Sequence, residues 1–192
     1  MQDETIEITL LVTDIMEKMD IRYAIGGSLS SSLHGVMRST MDVDIVADLR
    51  EVHIAPFVKA LAPLFYADDE MIRDAIQQRS SFNLIHFETA FKVDVFIPKQ
   101  REFDQMQLDH REKSIVARNP ERSVFVTSAE DVILAKLEWY RMGEEVSDRQ
   151  WRDILGVMRV QFTQLDFHYL EQWAKALKVE DLLARARKET EP

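Results

Sequence analysis

Two aspartates separated by one residue, Asp42 and Asp44, sit in the apolar run Val43-Ile45-Val46. In an extended strand, side chains alternate with a period of two, so both carboxylates share one face while Val43 and Ile45 point to the other. Like charges on one face repel each other unless a cation lies between them. A hard dication such as Mg²⁺ suits that position, because it takes oxygen ligands and commonly binds through one or two carboxylates plus substrate phosphates. Upstream, the short run Tyr23-Ala24-Ile25 meets Gly26-Gly27-Ser28. Glycine allows a tight turn and a close approach by phosphate, and the N–H groups at the start of a following helix attract anions. Glycine corner and paired carboxylates together describe a nucleoside triphosphate held by its phosphates and its metal, the plan of metal-assisted phosphoryl transfer.

The elements that must carry these residues are readable from their periodicity. Ile8, Leu11, Val12, Ile15 and Met19 recur at helical spacing, so a helix over 5–19 leads into the Tyr23 strand, and Ser28 to His34 reads as a helix that Ser28 could cap. Glu51 to Phe65 reads as helical, with Pro56 tolerated only near its first turn. Asp68 to Gln78 is polar, a short helix or a loop. Phe82-Asn83-Leu84-Ile85-His86-Phe87 reads as a strand, joined through Glu88-Thr89-Ala90 to a second strand, Phe91 to Ile97, as a hairpin. Lys99 to Pro120 is charged and without clear period, and Ser123 to Val126 reads as one more short strand.

Gly-Gly-Ser, a spacer and then Asp-x-Asp among apolar residues resembles the signature of the nucleotidyltransferase superfamily, which includes antibiotic nucleotidyltransferases, minimal nucleotidyltransferases and abortive-infection toxins. The resemblance implies a third carboxylate on a later strand, and Phe91-Lys92-Val93-Asp94-Val95-Phe96-Ile97 matches it at Asp94. It further implies that Gly26, Gly27 and Ser28 contact the triphosphate. Arg38 lies between the corner and the carboxylates, where a cation could reach phosphate; a solvated arginine is the other reading.

Beyond Thr127 the chain reads as helix. Ser128-Ala129-Glu130-Asp131 resembles a capping box opening a helix from Ala129 to Met142. Lys136 lies on or beside its apolar face, one turn from Val132, Ile133, Trp139 and Tyr140. A snorkelling lysine is one reading. The other follows from the resemblance, since toxin-type nucleotidyltransferases carry a lysine here that reaches nucleotide phosphates. A second helix from Asp148 to Val160 turns Trp151, Ile154, Leu155 and Met158 inward and carries Arg149, Arg152 and Asp153. Its string resembles the basic-acidic motif of the same relatives, except that Gly156 stands where they have a second acid. Asp153 is therefore read equally as a site residue or as half of a surface salt bridge. Helices over 167–177 and 180–188 close the chain.

The 192 residues are 46% hydrophobic, enough for a substantial core. There is no cysteine, which excludes disulfides and thiolate metal sites. Met1-Gln2-Asp3-Glu4 is acidic where a signal peptide is basic, and no apolar run approaches a membrane span, so a cytoplasmic protein with no membrane partner is expected. A net charge of −10 argues against a long nucleic-acid track, though a tRNA end stays open as acceptor.

The expected fold is α+β: a nucleotidyltransferase-like mixed sheet with flanking helices over residues 1–126, then a small helical region over 127–192. The expected reaction moves a nucleoside monophosphate from an NTP to an acceptor hydroxyl on a small molecule, a protein or a tRNA end. Asp42, Asp44 and Asp94 would be the catalytic and metal-binding carboxylates for two Mg²⁺ ions, with Gly26, Gly27, Ser28, Arg38 and Lys136 binding the nucleotide. The competing class is a non-catalytic nucleotide-binding or toxin-antitoxin-type module with the same fold. A glycosyltransferase using Asp-x-Asp fits less well, since only 41 residues precede Asp42. Acceptor, base and oligomeric state have no readable code.

Overall fold

The computed structural model describes residues 2–36, 40 and 42–191, and these fall into two compact units: 2–26 with 40 and 42–126, and 27–36 with 127–191.

The first unit is built on a seven-stranded mixed sheet. Its strands are β1 (Tyr23–Ile25), β2 (Asp42–Ala47), β3 (Phe65–Tyr66), β4 (Ser81–His86), β5 (Lys92–Phe96), β6 (Glu112–Arg118) and β7 (Glu121–Val126), in the order β3-β4-β5-β2-β1-β7-β6. β2 runs parallel to β5 and β1 parallel to β7, while the remaining neighbours are antiparallel. The expected hairpin is present as β4 and β5. One sheet face is apolar throughout its middle, with Val43, Ile45, Phe82, Leu84, Val93 and Val95 fully buried. The helices α1 (Gln2–Lys18), α3 (Ile54–Leu61) and α4 (Asp69–Gln78) belong to this core, α1 packing on β2 and on α3, and α4 packing on β4.

Several elements differ from the sequence reading. The buried side chains of α1 are Thr5, Ile8, Thr9, Leu10, Val12, Thr13 and Met16, and Leu11 is exposed. Threonine can join such a set because its hydroxyl bonds back to the helix, as Thr9 Oγ1 does to the Thr5 carbonyl at 2.7 Å, leaving its methyl to the core. The helix expected to reach Phe65 ends at Leu61, and Phe65 enters the edge strand β3 with its ring buried. Asp68 caps α4 by accepting the Met71 N–H at 2.8 Å. The segment with no readable period contains the helix α5 (Glu102–Asp109), buried through Phe103 and Leu108, and strand β6.

The second unit is helical: α2 (Gly27–His34), α6 (Ala129–Met142), α7 (Asp148–Gln161), α8 (Phe167–Leu177) and α9 (Glu180–Thr190). α2 packs on α6 and α7, so it joins the C-terminal helices although it lies far from them in sequence. The α2–α7 approach is close. A Cβ on Gly35 would lie 2.8 Å from the Val157 nitrogen and 2.9 Å from the Gly156 carbonyl carbon. His34 is tied to this unit, its Nε2 lying 2.7 Å from the Thr127 carbonyl.

Candidate active site

In the first unit the strand register orders the face opposite the helices. Asp44, Asp94 and Asn83 are partners across β2, β5 and β4. The next row is Asp42, Lys92, Ile85 and Tyr66, which carries the face onto β3. Asp42, Asp44 and Asp94 are all half-buried, alternating with buried Val43, Ile45, Val93 and Val95. The period-two pattern thus brings the three expected carboxylates to one face of two adjacent strands.

Asp42 and Asp94 are oriented by neighbouring side chains. Thr40 Oγ1 donates to Asp42 Oδ1 at 2.9 Å. Asn83 Nδ2 donates to Asp94 Oδ1 at 3.1 Å, and Lys92 Nζ lies 2.7 Å from Asp94 Oδ2. The Lys92 ammonium is held above the usual lysine range, first by its hydrogen bond to Asp94 and then by the fields of Asp94, Asp42 and Asp44. Lys92 and Asn83 are contacts the sequence reading missed. Their signals were available, since Lys92 stands two residues before Asp94 on the same strand and Asn83 faces Asp94 across the hairpin.

The chain leaves β1 through Gly26, whose N–H donates to the Asp44 carbonyl at 2.9 Å. Gly27 opens α2 with φ 54°, a left-handed conformation that a side chain resists, which accounts for glycine there. Because the helix begins at Gly27, Ser28 lies inside the first turn, and its carbonyl accepts from Ser31 Oγ at 3.0 Å and from Ser32 Oγ at 2.9 Å. Arg38 lies outside the described residues.

In the second unit, Lys136 is buried on α6 and its Nζ lies 3.0 Å from Asp153 Oδ2 on α7, both side chains being 10% exposed. Asp153 is thus half of a buried pair. Ser128 caps α6, its Oγ accepting the Asp131 N–H at 3.2 Å. Asp131 is fully buried and accepts the Tyr169 hydroxyl at 2.7 Å. A Cβ at Gly156 would lie 3.6 Å from Val36 Cγ2, just beyond α2.

Among the described residues, no three His, Asp or Glu side chains converge as a ready-made metal cage. No helix among them is long and apolar enough to cross a membrane.

No protein-family model and no curated protein sequence matches the chain. Solved structures do. The antibiotic-resistance factor ANT(2'')-Ia is similar in solution with a TM-score of 0.60 at 13% identity, over 98% of this chain and 99% of that one. Its crystal structure in complex with adenylyl-2''-tobramycin is similar with a TM-score of 0.57 at 12% identity, over 91% and 98%. The lincosamide antibiotic adenylyltransferase LnuA, in a lincomycin-bound crystal structure, gives 0.52 at 15% identity, over 79% and 95%. The chain therefore has the nucleotidyltransferase fold.

Proposed function

We propose that this protein transfers a nucleoside monophosphate from an NTP to an acceptor hydroxyl, releasing pyrophosphate. The observation that carries the reading is the row in which Asp44 and Asp94 are register partners on parallel strands, with Asp42 on the same face.

The donor set fits Mg²⁺. It offers hard carboxylate oxygens, and its field takes positive charge, since it draws the Lys92 ammonium onto Asp94. A two-carboxylate site completed by substrate phosphates is usual for this ion, so a closed protein cage is not needed. Asp42 and Asp44 would hold two such ions, with Asp94 binding the one nearest the acceptor. When bound, Mg²⁺ would neutralise the charge that builds on the attacking and leaving oxygens.

The acceptor hydroxyl would give its proton to Asp94, oriented by Asn83, while its oxygen bonds to the α-phosphorus. The bond from that phosphorus to the bridging oxygen breaks, and pyrophosphate leaves with the electron pair. Gly26, Gly27 and Ser28 are the proposed triphosphate contacts, at the start of a helix where anions are favoured. Lys136 is a proposed phosphate contact that would exchange Asp153 for phosphate, and Arg38 is proposed on its sequence position alone. Among the similar structures, one holds an adenylylated tobramycin and another is a lincosamide adenylyltransferase, which supports a small-molecule acceptor here.

The test is incubation of the protein, Mg²⁺ and each NTP with cell extract, followed by mass spectrometry for a gain of one nucleotide. Asp94→Asn should abolish the gain while leaving NTP binding measurable. Nucleotide binding with no transfer into any fraction would assign the chain to the non-catalytic class instead.

A further inference from the structure

The face that carries the carboxylates continues beyond them into an exposed apolar shelf. Tyr66 and Ile85 are register partners, and the Phe87 N–H donates to the Leu64 carbonyl at 3.0 Å, extending the same pairing by two residues. Alternation puts Leu64, Tyr66, Ile85 and Phe87 on one side, since Phe65, Leu84 and His86 between them are buried. Each large side chain stays open to solvent, at 40%, 51%, 39% and 59%. Four such residues in a two-by-two block differ from the scattered apolar exposure of an ordinary surface.

Position decides what the shelf serves. Asp44 is tied to the glycine corner through the Gly26 N–H, on the β1 side of the sheet. The shelf lies the other way, past Asp94, on β4 and β3. Strand spacing of about 4.8 Å and a rise of about 3.4 Å per residue put the Ile85 Cα about 8 Å from that of Asp94 and the Phe87 Cα about 14 Å away. That span is the body of a small molecule whose hydroxyl sits at Asp94. Lys92, the register partner of Ile85, has its ammonium taken by Asp94, and the outer rim is acidic, with Asp68 and Asp69 following Tyr66 and Glu88 following Phe87. Such a rim repels a polyanion and suits a neutral or cationic guest.

We infer that the shelf of Leu64, Tyr66, Ile85 and Phe87 seats the acceptor, a neutral or cationic small molecule with an apolar face and a hydroxyl presented to Asp94, and not a nucleic-acid end. This rests on the transfer reaction proposed above. In the step, the hydroxyl oxygen bonds to the α-phosphorus, its proton passes to Asp94 and pyrophosphate departs.

The experiment uses ATP labelled at the α-phosphate and the full-length protein with Mg²⁺, offered three substrate pools separately: metabolites below about 1 kDa fractionated by reversed phase, total RNA, and total protein. Label should enter a retained metabolite fraction. The Tyr66→Ser/Ile85→Thr variant should need at least about tenfold more of that fraction for half-saturation. Its ATP affinity by calorimetry and its melting temperature should match the parent, because both side chains are exposed. Label in RNA or protein, or an unchanged half-saturation in the variant, overturns the inference while leaving the transfer reaction standing. Absence of label from all three pools overturns the transfer reaction and the inference with it.

Discussion

Asp44 and Asp94 face each other across parallel strands, and the cation that meets them is a lysine of the protein itself, Lys92, bonded to Asp94 at 2.7 Å. Removing either carboxylate of β2 therefore lowers repulsion on a crowded face. Asp42→Asn and Asp44→Asn should each abolish Mg²⁺-dependent transfer, while the melting temperature without metal holds or rises. Activity assays and thermal melts on the two variants check this, and full activity in either would sink the metal assignment.

Lys92 competes with a dication for Asp94. Lys92→Met should tighten Mg²⁺ binding in the absence of nucleotide by about 1.4- to fivefold, the factor that about 0.2–1 kcal/mol for an exposed pair implies. Calorimetric Mg²⁺ titration of both proteins at one salt concentration is the measurement. Weaker binding in the variant would mean that Lys92 organises the carboxylates and does not compete for them.

The Lys136–Asp153 pair gives a stability prediction opposite to that for a snorkelling lysine. Lys136→Met leaves a buried carboxylate without its ammonium and should cost about 3 kcal/mol, the low end for breaking a buried pair. Lys136→Met combined with Asp153→Leu should recover most of that loss. Urea unfolding of the two variants and the parent completes the comparison, and the same proteins titrated with Mg²⁺-ATP report whether the ammonium also meets phosphate.

Alkaline stability should depend on Tyr23. Its ring is buried, its hydroxyl donates to Glu17 Oε1 at 2.7 Å and accepts the Phe125 N–H at 3.3 Å. Burial first, then the hydrogen bond to Glu17, pushes its pKa well above the ordinary tyrosine value. A raised folded pKa means that this stability is complete below the unfolded pKa of about 10 and is lost as pH rises beyond it. The melting temperature should therefore fall more steeply between about pH 10 and 11 in the parent than in Tyr23→Phe. At pH 8 the variant should be the less stable by about 1 kcal/mol, one hydrogen bond.

Gly35→Ala should destabilise the helical unit by about 1–3 kcal/mol, since its Cβ would meet backbone atoms at 2.8 and 2.9 Å that only a shift of α2 from α7 could relieve. An unchanged denaturation midpoint would show that the two helices tolerate separation.

What was legible in the sequence was what is local. Asp42 and Asp44 announce their shared face because two-residue alternation depends on nothing beyond the strand, and Asp94 does the same in a hairpin closed by a short turn. The cap of α6 was equally local. Asn83 acts through a cross-strand register that no single strand reveals, whereas Lys92 reaches Asp94 from two residues away on the same strand. β6 and α5 hid in a charged segment, because edge strands and short half-exposed helices need little apolar period. The burial of Asp153 and the allegiance of α2 depend on partners distant in the chain.

That allegiance has a consequence for the order in which the molecule is made. α2 leaves the ribosome early, long before α6 and α7 exist, and must wait without its packing partners. Its composition suits the wait, because Ser30, Ser31 and Ser32 supply much of what it later buries. Hydroxyls of Ser31 and Ser32 bond within the helix itself, to the carbonyls of Gly27 and Ser28. A nascent segment of this kind offers chaperones and neighbouring chains little to grip. It also means that residues 127–192 expressed alone would lack α2 and so expose the surfaces of α6 and α7 that it covers. The helical unit is therefore not a portable module: a gene fusion or a nick between the two halves would separate α2 from the helices that complete it.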